Sequence, residues 1–333
     1  ASHRRSTCTQ KPGKRAPGFH RCFFGYFMSK AGLLLVEHLN LDVLDRGIAE
    51  EFYCRLLGLQ TDPNRPKTRS LHSNCGYLTQ FHTGKAKQAQ VWRGVIEIVY
   101  DSKNLQKISQ NAKVEFDTKG SKRSGKPPLI SKLTVLKDGH LSLSGPYGNN
   151  FLLRTPTETE AAYFEDKRYG IRKYSEKSKA LGIGGITVRV KVGNARKIAD
   201  FYLQVFKFPI QFAEVGKDGD SKLHRATVLA SNGAQLIHFL EAKGVEATDD
   251  DGEHVAMYIG DFLGTFKRCH KLGLVWVNPR FVHLDNTKSL KEAVESQTFR
   301  IRDLKDPKTG EVLLRLEHEI RSAKWPRCPL ASV

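Results

Sequence analysis

No run of apolar residues in this 333-residue chain approaches the roughly 18 that a membrane-spanning helix needs; the longest candidate, at 31–36, meets Glu37 and His38 at once. The six cysteines are scattered and never form a Cys-x-x-Cys pair, so neither a disulfide framework nor a zinc knuckle is expected and reduced thiols are the default. There is no Gly-x-Ser-x-Gly elbow, and the only glycine-rich candidate for a phosphate loop, Gly182-x-Gly184-Gly185, precedes a strand and lacks the following helix. Acidic side chains are missing from the first 36 positions, where Arg4, Arg5, Lys11, Lys14, Arg15, Arg21 and Lys30 are all basic. A basic, Ser-bearing, acid-poor segment has the composition of an organellar transit peptide. Residues 1–32 therefore read as an arm for organelle targeting or docking.

The charge that is present is lopsided. A formal net charge of +19 favours a polyanionic neighbour, whether RNA, DNA, an anionic membrane face or an acidic protein surface. Hydrophobic content of 39% supports sizeable cores, and the length suits about two domains.

A repeated unit organises the rest. His38-Leu39-Asn40-Leu41-Asp42-Val43 alternates as a half-buried strand does, and 48–59 then switches to a helical period. The same succession recurs at Ile186-Thr187-Val188-Arg189-Val190 followed by 198–206. Strand, helix and hairpin patterns fill 33–84. A second set begins at Val95 and continues with a helix at 104–111, a strand at 113–117, a basic Gly/Ser/Pro loop at 119–128 and strands at 131–137, 139–144 and 150–154. A third set runs over 185–241 and a fourth over 254–320, its last two strands turning at Asp306-Pro307-Lys308-Thr309-Gly310. Residues 157–180 are charged and weakly patterned, like a connection. Repeats of this kind fix architecture before any single motif does.

Several of these segments resemble the vicinal oxygen chelate superfamily, the glyoxalase/dioxygenase fold. The residues that carry the resemblance are His38-Leu39-Asn40-Leu41, Phe52-Tyr53 with Leu56-Leu57-Gly58, Gln80-Phe81-His82, Gly94-Val95-Ile96, Tyr147-Gly148-Asn149 and Ile198-Ala199 with Phe201-Tyr202. They look closest to two-domain glyoxalase-like proteins of plants, algae and bacteria. The resemblance implies an α+β fold of four βαβββ modules forming two glyoxalase-like domains with curved mixed sheets. The boundaries it suggests are an arm at 1–32, domain one at 33–157, a linker at 158–180, domain two at 181–322 and a tail at 323–333. It also implies a divalent metal in a cup, with ligands from the first and last strands of paired modules.

By that registration His38 takes the first-strand position of module one and His82 lies on its last strand. Module two offers only Val95 and Leu152 there, with Glu97, two residues on and on the same face, as a substitute. Gly185 stands at the first-strand position of module three. His238, His254 and Glu317 make a second set, two imidazoles and a carboxylate that suit non-haem iron or a similar metal. A one-residue slip would move a strand side chain to the other face, and alignment from the Asp306–Gly310 turn would instead put Leu314 in the position of Glu317; Glu317 would then pair with Arg315 or Arg321. His38 and His82 could equally hydrogen-bond across the sheet. Cys54 and the aromatic residues Phe52, Tyr53, Phe201 and Tyr202 read as packed core.

Three functions follow, the last a small-molecule binding or sequestering protein that uses the cup without catalysis. In the first, depleted metal positions, the charge and the basic extensions (the arm and 321–327) describe a non-catalytic subunit of a large organellar assembly, in a plastid or mitochondrion, soluble or peripherally attached. RNA or acidic protein surfaces would be its partners, and no cofactor is required. In the second, a divalent metal supports a lyase, isomerase or dioxygenase acting on a small oxygenated metabolite, with Glu97 as a general base.

Overall fold

A computed structural model describes residues 32–65, 70–119, 126–165, 178–219, 221–283 and 285–330. The arm at 1–31, the centre of the basic loop at 120–125, the connection at 166–177 and the last three residues lie outside the described residues. Module one comprises β1 (Leu33–Asn40), α1 (Arg46–Glu50), which continues as a π-helical stretch over Glu51–Leu56, and strands β2 (Gln60–Thr61), β3 (Ser70–Cys75) and β4 (Thr79–Gly84). Module two has β5 (Gly94–Tyr100), α2 (Ser102–Lys119), β6 (Lys132–Val135), β7 (Leu141–Ser144) and β8 (Asn150–Arg154), and α3 (Glu158–Phe164) follows it. Module three has β9 (Ala180–Lys191), α4 (Asn194–Phe201) with a π-helical extension over Tyr202–Phe206, β10 (Ile210–Asp218), β11 (Ser221–Ala230) and β12 (Gln235–Ala242). Module four has β13 (His254–Ile259), α5 (Phe262–Lys271), β14 (Val275–Trp276), α6 (Leu290–Ser296), β15 (Thr298–Lys305) and β16 (Val312–Ser322).

Local chemistry sets the helix starts. Asp45 accepts from the Gly47 and Ile48 amides ahead of α1, and Thr157 and Ser289 open α3 and α6 with capping boxes closed by Glu160 and Glu292. The strand expected at 113–117 is instead the end of α2. Leu105, Ile108, Ala112 and Glu115 are buried at helical spacing, whereas Val114 and Phe116 face outward. Alternation over five residues cannot be told from the exposed side of a helix without its partner surface. The expected aromatic core is present: Tyr53 stacks on Phe81 at 4.9 Å, and Phe201, Tyr202, Phe206 and Phe239 pack together in module three.

Among the described residues, sixteen strands form one mixed sheet in two halves of eight. One half runs β14-β15-β16-β13-β1-β4-β3-β2, the other β10-β11-β12-β9-β5-β8-β7-β6. At the centre of each, two first strands pair antiparallel: β1 with β13, and β5 with β9. Each cup is therefore shared by modules one and four, or by modules two and three. The expectation that module one would share its cup with module two, and module three with module four, is corrected by this pairing. First strands of similar pattern do not specify which partner each takes; long-range complementarity does.

Gln235 shows how that complementarity works. Its amide accepts from Val36 N at 2.9 Å and donates to Val36 O at 3.0 Å and Ile183 O at 2.8 Å, joining β1 to β9 where the halves meet. The side chain is 1% exposed, so these backbone groups have no access to bulk water. Tyr202 and His318 form a second buried link, between modules three and four. His318 Nδ1 donates to Leu316 O, which leaves Nε2 to accept from the Tyr202 hydroxyl at 2.5 Å.

Replacing Gln235 with Leu strands the Val36 and Ile183 backbone groups and is expected to cost at least about 3 kcal/mol, read as a lower urea midpoint. Burial depresses the His318 pKa from 6.5 to about 4 although its hydrogen bond to Leu316 raises it. The unfolded chain then binds the extra proton first, so stability is present above the unfolded pKa and is lost as pH falls below it. From pH 7 to 5 that loss amounts to about 2 kcal/mol, and a Tyr202→Phe/His318→Leu double variant should lack this share of the slope.

Candidate metal centre

The cup of modules one and four is built from two polar rows that cross the sheet. Opposed residues on neighbouring strands share a face, and one row reads Asn74, Gln80, His38, Ala256, Glu319, Arg300 across β3, β4, β1, β13, β16 and β15. The next row reads His72, His82, Asn40, His254, Glu317. Ala256, between His38 and Glu319, has the smallest side chain in its row, and the longer groups lean together over it.

The register shifts between Val36, opposite Met257, and His38, opposite Ala256, so β1 carries one extra residue at Glu37. That bulge lets two consecutive side chains work on one site. His38 Nδ1 donates to Glu37 Oε2 at 2.6 Å, which turns the Nε2 lone pair toward His254. His38 Nε2 lies 3.3 Å from His254 Nε2, and Glu319 Oε2 lies 3.4 Å from His254 Nε2 and 3.8 Å from His38 Nε2. A point equidistant from three atoms so spaced is about 2.0 Å from each, the usual zinc–nitrogen and zinc–oxygen bond length. His38, His254 and Glu319 thus fit a divalent metal as a three-ligand set.

The surroundings prepare these donors. Burial pushes the His38 and His82 imidazoles well below 6.5, which keeps both neutral. Burial alone would raise the Glu319 carboxyl, but Arg300 and Arg321 more than offset it and hold it ionised. Arg300 donates from Nη2 to Glu319 Oε2 at 2.7 Å and from Nε to Asp285 Oδ2 at 3.0 Å, and it also bonds Glu317. Arg321 bonds Glu319 Oε1 from Nε at 2.6 Å and Glu37 from Nη1 at 3.0 Å. In this network four carboxylates face two guanidiniums, a balance that favours a cation. The segment after β14 closes over it: Asn278 donates to Glu317 at 2.7 Å, and Phe281 stands edge-on to His254. His254 Nδ1 is buried with no hydrogen-bond partner among the described residues.

The sequence-derived residues are thus redistributed. His38 and His254 come together from opposite halves of the chain. His82 stacks on His38 with ring centroids 3.7 Å apart instead of hydrogen-bonding to it, and its Nε2 bonds Gln80. Glu317 is on the cup face but is occupied by Arg300 and Asn278, and the carboxylate within reach of both imidazoles is Glu319, two residues on. Its place on the same face of β16 was the available signal. His238 lies in the other cup, bonded to Thr227 at 2.9 Å, so the set His238, His254, Glu317 does not assemble. Glu97 is there too, bound to Arg154 at 2.7 Å and opposite Gly185, which removes it as a base for this centre. Arg321, expected in a docking extension, is instead half of the buried network. The tail behind it packs back on the chain, with Cys328 buried and Trp325 under the Arg321 guanidinium.

No protein-family profile matches this chain, and no curated protein matches it in sequence. Solved structures do. Glyoxalase I from Zea mays superposes with a TM-score of 0.50 at 14% identity, covering 87% of this chain and 92% of that one. A proposed dioxygenase from Bacillus subtilis gives a TM-score of 0.50 at 15% identity, covering 88% of this chain and 86% of its own. The chain has the glyoxalase/dioxygenase fold. Within this fold, the paired first strands β1 and β13 supply His38 and His254, and the last strand β16 supplies Glu319.

One equivalent of Co²⁺ is expected to bind with tetrahedral-type visible absorption, and His254→Ala should abolish it while His238→Ala leaves it intact. Glu37→Gln, which loosens the His38 tautomer, should weaken binding about 10- to 100-fold.

Proposed function

We propose that this protein is a metal-dependent enzyme acting on a small metabolite with neighbouring oxygen atoms, as a lyase, isomerase or dioxygenase. The convergence of His38 Nε2, His254 Nε2 and Glu319 Oε2 carries the reading. A divalent metal held there would act as a Lewis acid toward the substrate oxygens. Glu37 and Arg321 orient His38 and Glu319, and the Phe281 segment limits water. The other cup, with Gly185 at its first-strand position and Glu97 paired to Arg154, would serve the fold alone.

A second reading is favoured by one observation: both oxygens of Glu319 already accept from Arg300 and Arg321, so the cup is hydrogen-bonded without a metal. It would then be a non-catalytic subunit of a large organellar assembly, docked through its basic N-terminal residues on RNA or an acidic protein.

Protein purified natively without chelator separates the two. An enzyme should carry near-stoichiometric metal, and a Glu319→Gln variant should lose it together with at least about 100-fold of whatever turnover a screen of hydroxyketones, hemithioacetals and catechols detects. Metal-free protein recovered in a large complex, and released by salt or by deleting residues 1–32, would favour the subunit.

A further inference from the structure

We propose that the β3 side of the cup, formed by Asn74, His72 and Arg65, is a subsite for a carboxylate carried by the molecule whose neighbouring oxygens the metal centre takes. The inference rests on the enzymatic reading above and deepens it by naming a feature of the substrate.

Hydrogen-bond bookkeeping across β3 and β4 leaves a free donor. Asp62 can only accept, so Gln80 presents its Nε2 to Asp62 Oδ2 at 3.0 Å and its Oε1 to His82 Nε2 at 2.9 Å. The same Gln80 Nε2 bonds Asn74 Oδ1. That contact fixes the Asn74 amide, since the flipped form would set one NH₂ against another. Asn74 Nδ2 is therefore a donor, and it has no partner among the described residues although Asn74 is 0% exposed. His72, on the same face of β3, spends Nε2 on Ser70 Oγ at 2.8 Å and leaves Nδ1 buried and unpartnered. Native proteins leave few such groups unsatisfied, so the free Asn74 donor, beside an imidazole nitrogen that also has no partner among the described residues, points to an absent acceptor.

Charge identifies the acceptor. Arg65 stands by His72, where burial and then the guanidiniums of Arg327 and Arg321 lower its pKa against the pull of Asp62. A half-buried guanidinium beside the free Asn74 donor matches a carboxylate, which accepts at two oxygens. The geometry connects this face to the metal centre. His72, His82 and His38 form a ladder with successive ring centroids 3.9 and 3.7 Å apart, and Asn74 shares the row of His38 and Glu319. A short aliphatic tail spans that interval.

The test uses two chelators that differ only at the tail, butanohydroxamate and succinohydroxamate, titrated into Co²⁺-loaded full-length protein and followed by visible absorbance. Succinohydroxamate is expected to bind at least about tenfold more tightly. Arg65→Gln and Asn74→Leu should each erase most of that preference, with cobalt content and butanohydroxamate affinity unchanged within about twofold. Equal affinities in the wild type, or a preference that survives Arg65→Gln, would overturn the subsite; water alone would then satisfy the free Asn74 donor. Should the protein take up no cobalt, the metal reading fails by itself. Saturation-transfer NMR of butanoate against butanamide on the metal-free protein then decides the subsite. A butanoate signal lost in Arg65→Gln supports it, and no signal in the wild type sinks it.

Discussion

The antiparallel pairing of β1 with β13 is the constraint on which the rest of the molecule depends. It sets His38 opposite Ala256 and Asn40 opposite His254, so the two imidazoles approach across a gap that only a small side chain leaves open. The extra residue at Glu37 turns an acid and a histidine to one side of a strand that would otherwise send them to opposite faces. Without the bulge, His38 would face the cup with no fixed tautomer and Arg321 would lose its second carboxylate. A one-residue slip would instead exchange the whole polar row for the core row.

The same construction occurs twice in the sheet with different contents. Around β5 and β9 the corresponding row reads Leu152, Glu97, Gly185, Leu236, and its one carboxylate is held by Arg154. Gly185 accepts no side chain's function, and His238 is turned to Thr227. Both halves keep the aromatic and aliphatic packing that makes them fold, so architecture and chemistry have separated. Fold likeness to glyoxalases and dioxygenases therefore says nothing about which cup works; the side chains in the rows do.

Burying four carboxylates, two guanidiniums and several neutral histidines is expensive, because each ion loses its hydration. The network around Glu319 offsets this with bonds whose donors and acceptors come from β1, β15, β16 and the segment after β14. Replacing the set with apolar residues would serve stability at least as well. Its presence on the concave face of the sheet, beside unpartnered atoms on His254, His72 and Asn74, is what points to a ligand.

Much of the fold was legible in the chain. Periods of two and of 3.6, turn residues such as Asp306-Pro307 and Gly310, and the recurrence of one unit marked out four strand–helix–strand modules, because these patterns record local geometry and burial. The residues His38, His82, His238, His254 and Glu317 were likewise visible as candidates by type and by strand position. Where the local pattern was short, as at 113–117, it misled, since an exposed helix face can alternate. What only the tertiary structure decided was which first strands pair. That pairing joined His38 to a histidine 216 positions away, separated it from Glu97 and sent His238 to another cup, while Arg300 and Asn278 occupied Glu317 and left Glu319 beside the two imidazoles. The reason is physical: a strand's sequence states which of its faces is buried, while its partner is selected by the fit of side chains from distant segments, such as Gln235 on Val36 and Ile183, and by a bulge that no alternation pattern encodes.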